Sequence, residues 1–285
     1  MFKNLYNEID FFFRKNIRLK RKYTGKNELK ENLFEHFSGE KKQLAKEKEI
    51  FYLKKYQLLE FKTNSTCRNY LENLAVIELL ENFLAPTPEK NVVKILDIGS
   101  KNWFYASGEW SFFKYKLEEF LGCSRVTALR VGEAAPSASA RNPLFLDGIE
   151  IDAFRVYSDF HTRYDYAQYY IKNLANTRYI TKDFLQHNEK YDYIIWFFPF
   201  VTEFPLQEWG LPLSKFKPSE MLKHAYNSLN SGGKMLIVNQ DEKEYAIQEN
   251  LLKNLNLHYE KKGDFKNSFL EYEHKRCVTI VFKDS

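Results

Sequence analysis

Cysteine is scarce, and no residue spacing suggests a metal site. Cys67, Cys123 and Cys277 lie far apart, are odd in number and include no CxxC pair. A structural zinc site draws four nitrogen or sulfur ligands from short spacings. The six histidines, at 36, 161, 187, 224, 258 and 274, form neither an HxH nor an HxxxH pair. Metal binding is therefore not expected. Also missing is any apolar run near the ~20 residues that a membrane-spanning helix needs. The N-terminus, MFKNLYNEIDFFFRKN, places Glu8 and Asp10 where a secretory signal would be uninterruptedly apolar. A soluble, cytoplasmic chain without a membrane partner is the expectation.

What is present suffices for a folded core. The 285 residues allow one large domain, or a domain with an appendage. An apolar fraction of 44% and a charged fraction of 28% are close to globular averages, which excludes a disordered or collagen-like chain. Charge is uneven along the sequence. The net +5 divides into +7 over residues 1–62 and −2 over the remainder. The densest basic run, RKNIRLKRK from Arg14 to Lys22, is flanked by Phe11, Phe12, Phe13 and Tyr23. Such a run can neutralise phosphates while aromatics stack on unpaired bases. It can equally be a solvated helical face, because KKQLAKEKEIFYLKKYQLLEF alternates Lys and Glu. Leu44, Ile50, Leu53, Leu58 and Phe61 recur near helical spacing there and predict the face that docks on the body.

From residue 69 the pattern becomes regular. Asn69 to Leu84 carries apolar residues at 71, 74, 77, 80, 83 and 84, a helical stripe stopped by Pro86 and Pro88. VVKILDIGS follows, a strand apolar on both faces that ends in Asp97 with Gly99 two residues on. A glycine just past a parallel strand permits a tight turn or close approach to a nucleotide. LFLDGIEIDAF (144–154) is a second strand with Glu150 and Asp152 near its end, where doubly wound folds hold a ribose by its hydroxyls. A helix over 165–176 precedes strand TRYITKDF, which has Asp183 at its tip. A fourth strand spans Tyr191 to Phe198. The next helix starts at Pro218–Ser219 and is expected to run to Gly232–Gly233, followed by strand KMLIVN (234–239). Helix EYAIQENLLKNLN and a last strand, RCVTIVFK, complete an alternating open α/β sheet, whose ligands bind at the strands' carboxyl edge.

From about residue 69 to 283 this order resembles the class I S-adenosylmethionine-dependent methyltransferases. The matching segments are ILDIGS, GIEID, YITKDF, YDYIIWFFPF and LNSGGKMLIV. The resemblance implies a doubly wound, mostly parallel seven-stranded sheet with its last strand antiparallel. It divides the chain into a basic helical extension (1–68) and an S-adenosylmethionine-binding domain (69–285). It also implies that Asp97, Gly99 and Ser100 meet the methionine moiety, and that Glu150 holds the ribose, with Asp152 as the alternative. Asp183 would meet the adenine amino group, with Phe184 beside the ring. Trp196 and Phe197 would sit near the reacting methyl; both could equally be sheet core.

Two departures stand out. Lys101 replaces the family's second glycine, and its side chain crowds the cofactor unless the loop bends differently. The separation of Asp97 from Glu150 is 53 residues, against ~20 in a typical unit. Part of the excess is 123–143, which holds five Ala and three of the eleven Arg but no Lys, Phe, Tyr or Trp. This stretch reads as a flexible surface insert without a part in catalysis.

The reaction implied is an in-line displacement that needs positioning more than functional groups. The acceptor wall falls in 201–218, where Glu203, Glu208 and Trp209 could orient a substrate; Asn239, Gln240 and Glu242 follow the fifth strand. No general base stands out. FFPF in place of D/N-PP-Y/F disfavours an exocyclic adenine amine. The basic extension favours RNA or a ribosomal target over a small molecule or protein. A non-catalytic nucleotide- or RNA-binding module with a decayed cofactor site is the alternative. A dehydrogenase would want GxGxxG after the first strand, which GSKNWF does not supply.

Overall fold

The computed structural model describes residues 2–84, 92–120 and 144–284, so the 123–143 insert and the prolines after residue 84 lie outside the described residues. Helices α1 (Phe2–Ile17), α2 (Gly39–Lys55), α3 (Leu59–Thr63) and α4 (Cys67–Phe83) precede the first strand. Then follow β1 (Val93–Ile98), α5 (Ala106–Phe120), β2 (Leu144–Ile149), α6 (Arg163–Ile171) and β3 (Thr177–Ile180). The remainder is β4 (Tyr191–Phe197), α7 (Glu203–Glu208), α8 (Pro218–Ser228), β5 (Leu229–Asn239), α9 (Glu242–Asn254), β6 (Tyr259–Phe265) and β7 (Arg276–Phe282). No described helix is long and apolar enough to cross a membrane.

The seven strands form one sheet in the order β3-β2-β1-β4-β5-β7-β6, and only β7 runs antiparallel to its neighbours. Alternate residues of the central strands feed two apolar layers, as period-2 side chains covered on both faces must. Ile95, Leu146, Ile195 and Leu236 pack under α4 and α5. Leu96, Ile149, Ile194 and Ile237 pack with Leu222 and Ala225 of α8 and Leu252 of α9. The first layer also takes in Leu33, Phe34, Phe37, Tyr52, Tyr56 and Leu58, so the basic N-terminal residues fold onto the same core.

Four details differ from the sequence reading. The edge strand β6, YEKKGDF, is mostly solvated and carries three Lys or Glu in succession, which hid it. Helix α8 stops at Ser228, and β5 begins at Leu229 with an irregularity opposite Tyr191–Tyr193, so Gly232–Gly233 lie inside a strand. The second strand ends at Ile149, one residue before Glu150. Helix α2 buries Ala45, Glu49 and Tyr52, with Tyr56 just after it, and leaves Leu44 and Ile50 exposed. Tyrosine decides that face: each ring buries a large apolar area while its hydroxyl finds a partner. The Tyr56 hydroxyl donates to Glu81, and the Tyr70 hydroxyl donates to buried Glu49.

One glycine is fixed by packing. A Cβ on Gly148 of β2 would stand 2.8 Å from three ring atoms of Trp103, which is fully buried. Trp103 in turn donates its indole N–H to Glu109 of α5 at 3.0 Å. The β1–α5 loop is thereby pinned to the sheet.

Candidate functional site

Parallel pairing sets Ile98 beside Ile149 and beside Trp196, and Phe197 beside Val238. The ends of four strands thus lie together where the chain order reverses between β1 and β4, the position at which open α/β sheets leave a crevice. A cavity of about 420 Å³ opens there, with Gly99, Glu150, Asp183, Phe184, Trp196 and Phe197 among its walls. A second cavity of about 210 Å³ lies on the α4 side, lined by Arg68, Glu72, Tyr105, Tyr272 and Arg276. Gly99, Lys101, Phe197 and Phe198 border both.

The turn after β1 has an uncommon backbone. Gly99, Lys101 and Trp103 have φ of +73°, +54° and +48°. Lys101 therefore takes the left-handed conformation that normally favours glycine. Hydrogen bonds hold it there. Its N–H donates to Glu150 Oε2 at 2.9 Å, and its carbonyl accepts from the Tyr179 hydroxyl. The Lys101 ammonium lies 3.8 Å from the centre of the Trp209 ring. Burial, with Arg163 nearby, lowers its pKa to about 8.

Glu150 sits at the centre of the cluster. Its Oε1 accepts from the Asp152 N–H at 2.8 Å and lies 3.5 Å from Arg163 Nη1. Arg163 is in the first turn of α6, where a cation opposes the helix dipole, and Glu150 and Asp152 offset that opposition. The same guanidinium lies over Trp209 at 5.4 Å. Asp183 caps the short turn Phe184–Gln186, its Oδ1 accepting from Leu185 N–H at 3.2 Å while Oδ2 pairs with Lys215 at 3.0 Å.

The remaining expected residues are distributed unevenly. Asp97 is fully buried, accepts the Tyr105 hydroxyl at 2.9 Å, and its Oδ1 has no partner; it lines neither cavity. Burial and neighbouring Glu150 raise its pKa. Ser100 and Asn239 are also fully buried with unpartnered side-chain atoms and line neither cavity. Asp152 is taken up by Arg14, which donates to Oδ1 at 2.9 Å, and borders only a small cleft of about 30 Å³. Trp209 lines the larger cavity; Glu203 is exposed, Glu208 pairs with Lys3, and Glu242 pairs with Lys275.

Arg163, Lys215, Arg68, Arg276 and Tyr272 were not singled out from the sequence. Only Arg163 left a signal there, as a cation inside the Thr162–Asp165 capping box.

No protein-family model and no curated protein matches the sequence. Solved structures do match. A putative class I S-adenosylmethionine-dependent methyltransferase from Listeria monocytogenes is 12% identical with a TM-score of 0.45, covering 88% of this chain and 70% of that one. A putative S-adenosyl-L-methionine-dependent methyltransferase from Methanococcus maripaludis is 11% identical with a TM-score of 0.42, covering 92% and 98%. TrmN from Thermus thermophilus is 12% identical with a TM-score of 0.42; the match covers 74% of this chain and spans 48% of that protein's length.

Proposed function

We propose that the chain is an S-adenosylmethionine-dependent methyltransferase. The observation that carries this reading is the pairing of two cavities across Gly99. One has largely apolar walls rimmed by charges that include the carboxylates Glu150, Asp183 and Glu220, and the other, smaller one also has charges of both signs. Glu150 already accepts two backbone N–H groups and faces Arg163, but a carboxylate offers about four lone-pair sites and can still take a ribose hydroxyl. Ile98, Ile149 and Phe184 give an adenine apolar surface, with Asp183 as acceptor for an exocyclic amine. In the smaller cavity Arg276 suits a carboxylate, and Glu72, which pairs with Arg68 and accepts the Tyr272 hydroxyl, suits an ammonium, the two ends of an amino acid. The donor set fits the cofactor.

Bound S-adenosylmethionine supplies a methyl group on a sulfonium to a nucleophile held in line with it. The chain's part is to position both and exclude water, which can account for ~7–11 kcal/mol of the barrier. Phe197 and Phe198, bordering both cavities, supply the water-excluding walls, and Trp209 closes the larger cavity.

Calorimetric titration with S-adenosylhomocysteine tests the reading. Micromolar affinity, ~8 kcal/mol, is expected, falling at least tenfold in both Asp183→Ala and Glu150→Ala. Absence of binding would put the non-catalytic module ahead. RNA as acceptor is a second reading, favoured by the exposure of Lys15, Arg18, Lys20, Arg21 and Lys22. It requires RNA affinity that falls steeply with salt, and less steeply once these residues are neutralised.

A further inference from the structure

Helix α1 has its polarity inverted. Surface helices bury an apolar stripe and leave polar residues in water. Here the inward face holds the body mainly through polar groups. The Asn7 amide donates to the carbonyls of Gln207 at 3.0 Å and Leu211 at 3.1 Å. Arg14 donates to the Gly210 carbonyl at 2.9 Å and to Asp152. Asn4 accepts the Leu213 N–H at 2.8 Å, and Phe11 alone packs between Leu206 and Leu211. On the opposite face Leu5, Tyr6, Ile9, Phe12, Phe13 and Ile17 follow helical spacing, and each is 51–67% exposed. Phe2 is 90% exposed at the start of the same helix, and Phe204 of neighbouring α7 is 69% exposed. Single exposed apolar residues are ordinary, but a contiguous patch marks a surface that is covered in function.

Charge states what covers it. The helix runs into Lys15, Arg18, Lys20, Arg21 and Lys22, all exposed. The acids in the first 22 residues are Glu8 and Asp10, and Asp10 is paired with Arg14. An aromatic and aliphatic face joined to exposed cations is the composition of helices that lie in the interface of an anionic bilayer. RNA would meet the cations but leave the apolar side chains in water.

We propose that α1 is a peripheral anchor that seats its outer face on an anionic lipid surface. This does not depend on the cofactor reading. Nothing in it requires a spanning segment, and it replaces the expectation of a chain without a membrane partner. Because Asn7 and Arg14 also hold the 207–213 segment that carries Trp209 to the larger cavity, anchor and cavity are mechanically joined.

The test is flotation of the full chain with phosphatidylcholine vesicles, with and without phosphatidylglycerol. Binding is expected only with the anionic lipid, weakening about fivefold for each of Lys15, Lys20 and Lys22 neutralised. The exposed substitutions Ile9→Ser, Phe12→Ser and Phe13→Ser together are expected to lower binding more than tenfold. Circular dichroism and unchanged S-adenosylhomocysteine titration of that variant separate loss of the anchor from loss of fold. Each of these results would overturn the proposal: no flotation with either vesicle, flotation unaffected by the three serine substitutions, or RNA binding in its place. Sedimentation revealing a dimer that the serine variant dissolves would assign the face to a second copy instead.

Discussion

Lys101 decides most at the scale of single residues. It stands where a glycine was expected, and the chain accommodates it by giving it a glycine-like φ of +54° and three interactions that hold it there. Its ammonium faces Trp209 and Phe198, with Arg163, Glu150, Arg276 and Asp97 as the charged neighbours. A cation bordering both cavities opposes a sulfonium but not the neutral sulfur of the demethylated product. Lys101→Met is therefore expected to shift relative affinity toward S-adenosylmethionine over S-adenosylhomocysteine by about fivefold, the size of a ~1 kcal/mol repulsion in a partly solvated site. In the wild-type chain the same ratio should rise with pH through about 8, where this amine loses its charge. Paired titrations across that range measure it; a ratio independent of pH and of the substitution would remove Lys101 from the site. Gly148 makes a packing test at the same scale. Gly148→Ala drives a Cβ into the buried Trp103 ring and should lower stability by about 1–3 kcal/mol in urea unfolding.

Among elements, α1 and α7 form the unit whose behaviour is most open to measurement. Asn7→Ala removes both donors that hold the Gln207 and Leu211 carbonyls. Each such bond is worth about 1 kcal/mol, so losing two should speed amide exchange across 206–213 by roughly thirtyfold while the central strands keep their protection. Exchange unchanged in that segment would show that Asn4, Phe11 and Arg14 suffice to hold it. How much of the elements could be read beforehand varied with their chemistry. Strands β1, β2 and β4 were legible because both faces are covered, which favours consecutive apolar residues such as Ile95–Leu96, Leu144–Leu146 and Tyr193–Phe197. Strand β6 was not, because an edge strand of Lys and Glu looks like a loop. In α2 the buried tyrosines misled a reading based on aliphatic spacing.

At the scale of the whole molecule, buried carboxyls link stability to pH. Burial, reinforced by Asp97, raises the pKa of Glu109, which is fully buried, with Oε1 unpartnered. A carboxyl that holds its proton more tightly when folded contributes stability that is complete below the ordinary carboxylate pKa and is lost as pH rises toward the raised value. Glu109→Gln keeps an acceptor for the Trp103 indole and removes the buried charge. It should flatten that decline and stabilise the chain by about 1–3 kcal/mol above pH 7, as measured by unfolding across pH. An unchanged pH profile would mean the decline has another source. By itself the sequence determined most of the alternation of strands and helices and that Asp97, Glu150 and Asp183 lie at or within three residues of strand ends, since hydrophobic period and strand-end chemistry are local properties. It could not determine which polar groups remain available. Only tertiary packing decided that Asp152 belongs to Arg14, that Asp97 turns into the core, and that Trp209 closes on Lys101, because each depends on partners 100 residues or more away in sequence or on burial. The outward apolar face of α1 was decided in the same way: the periodicity was in the sequence, but which face meets the body depended on where the carbonyls of 207–211 lie.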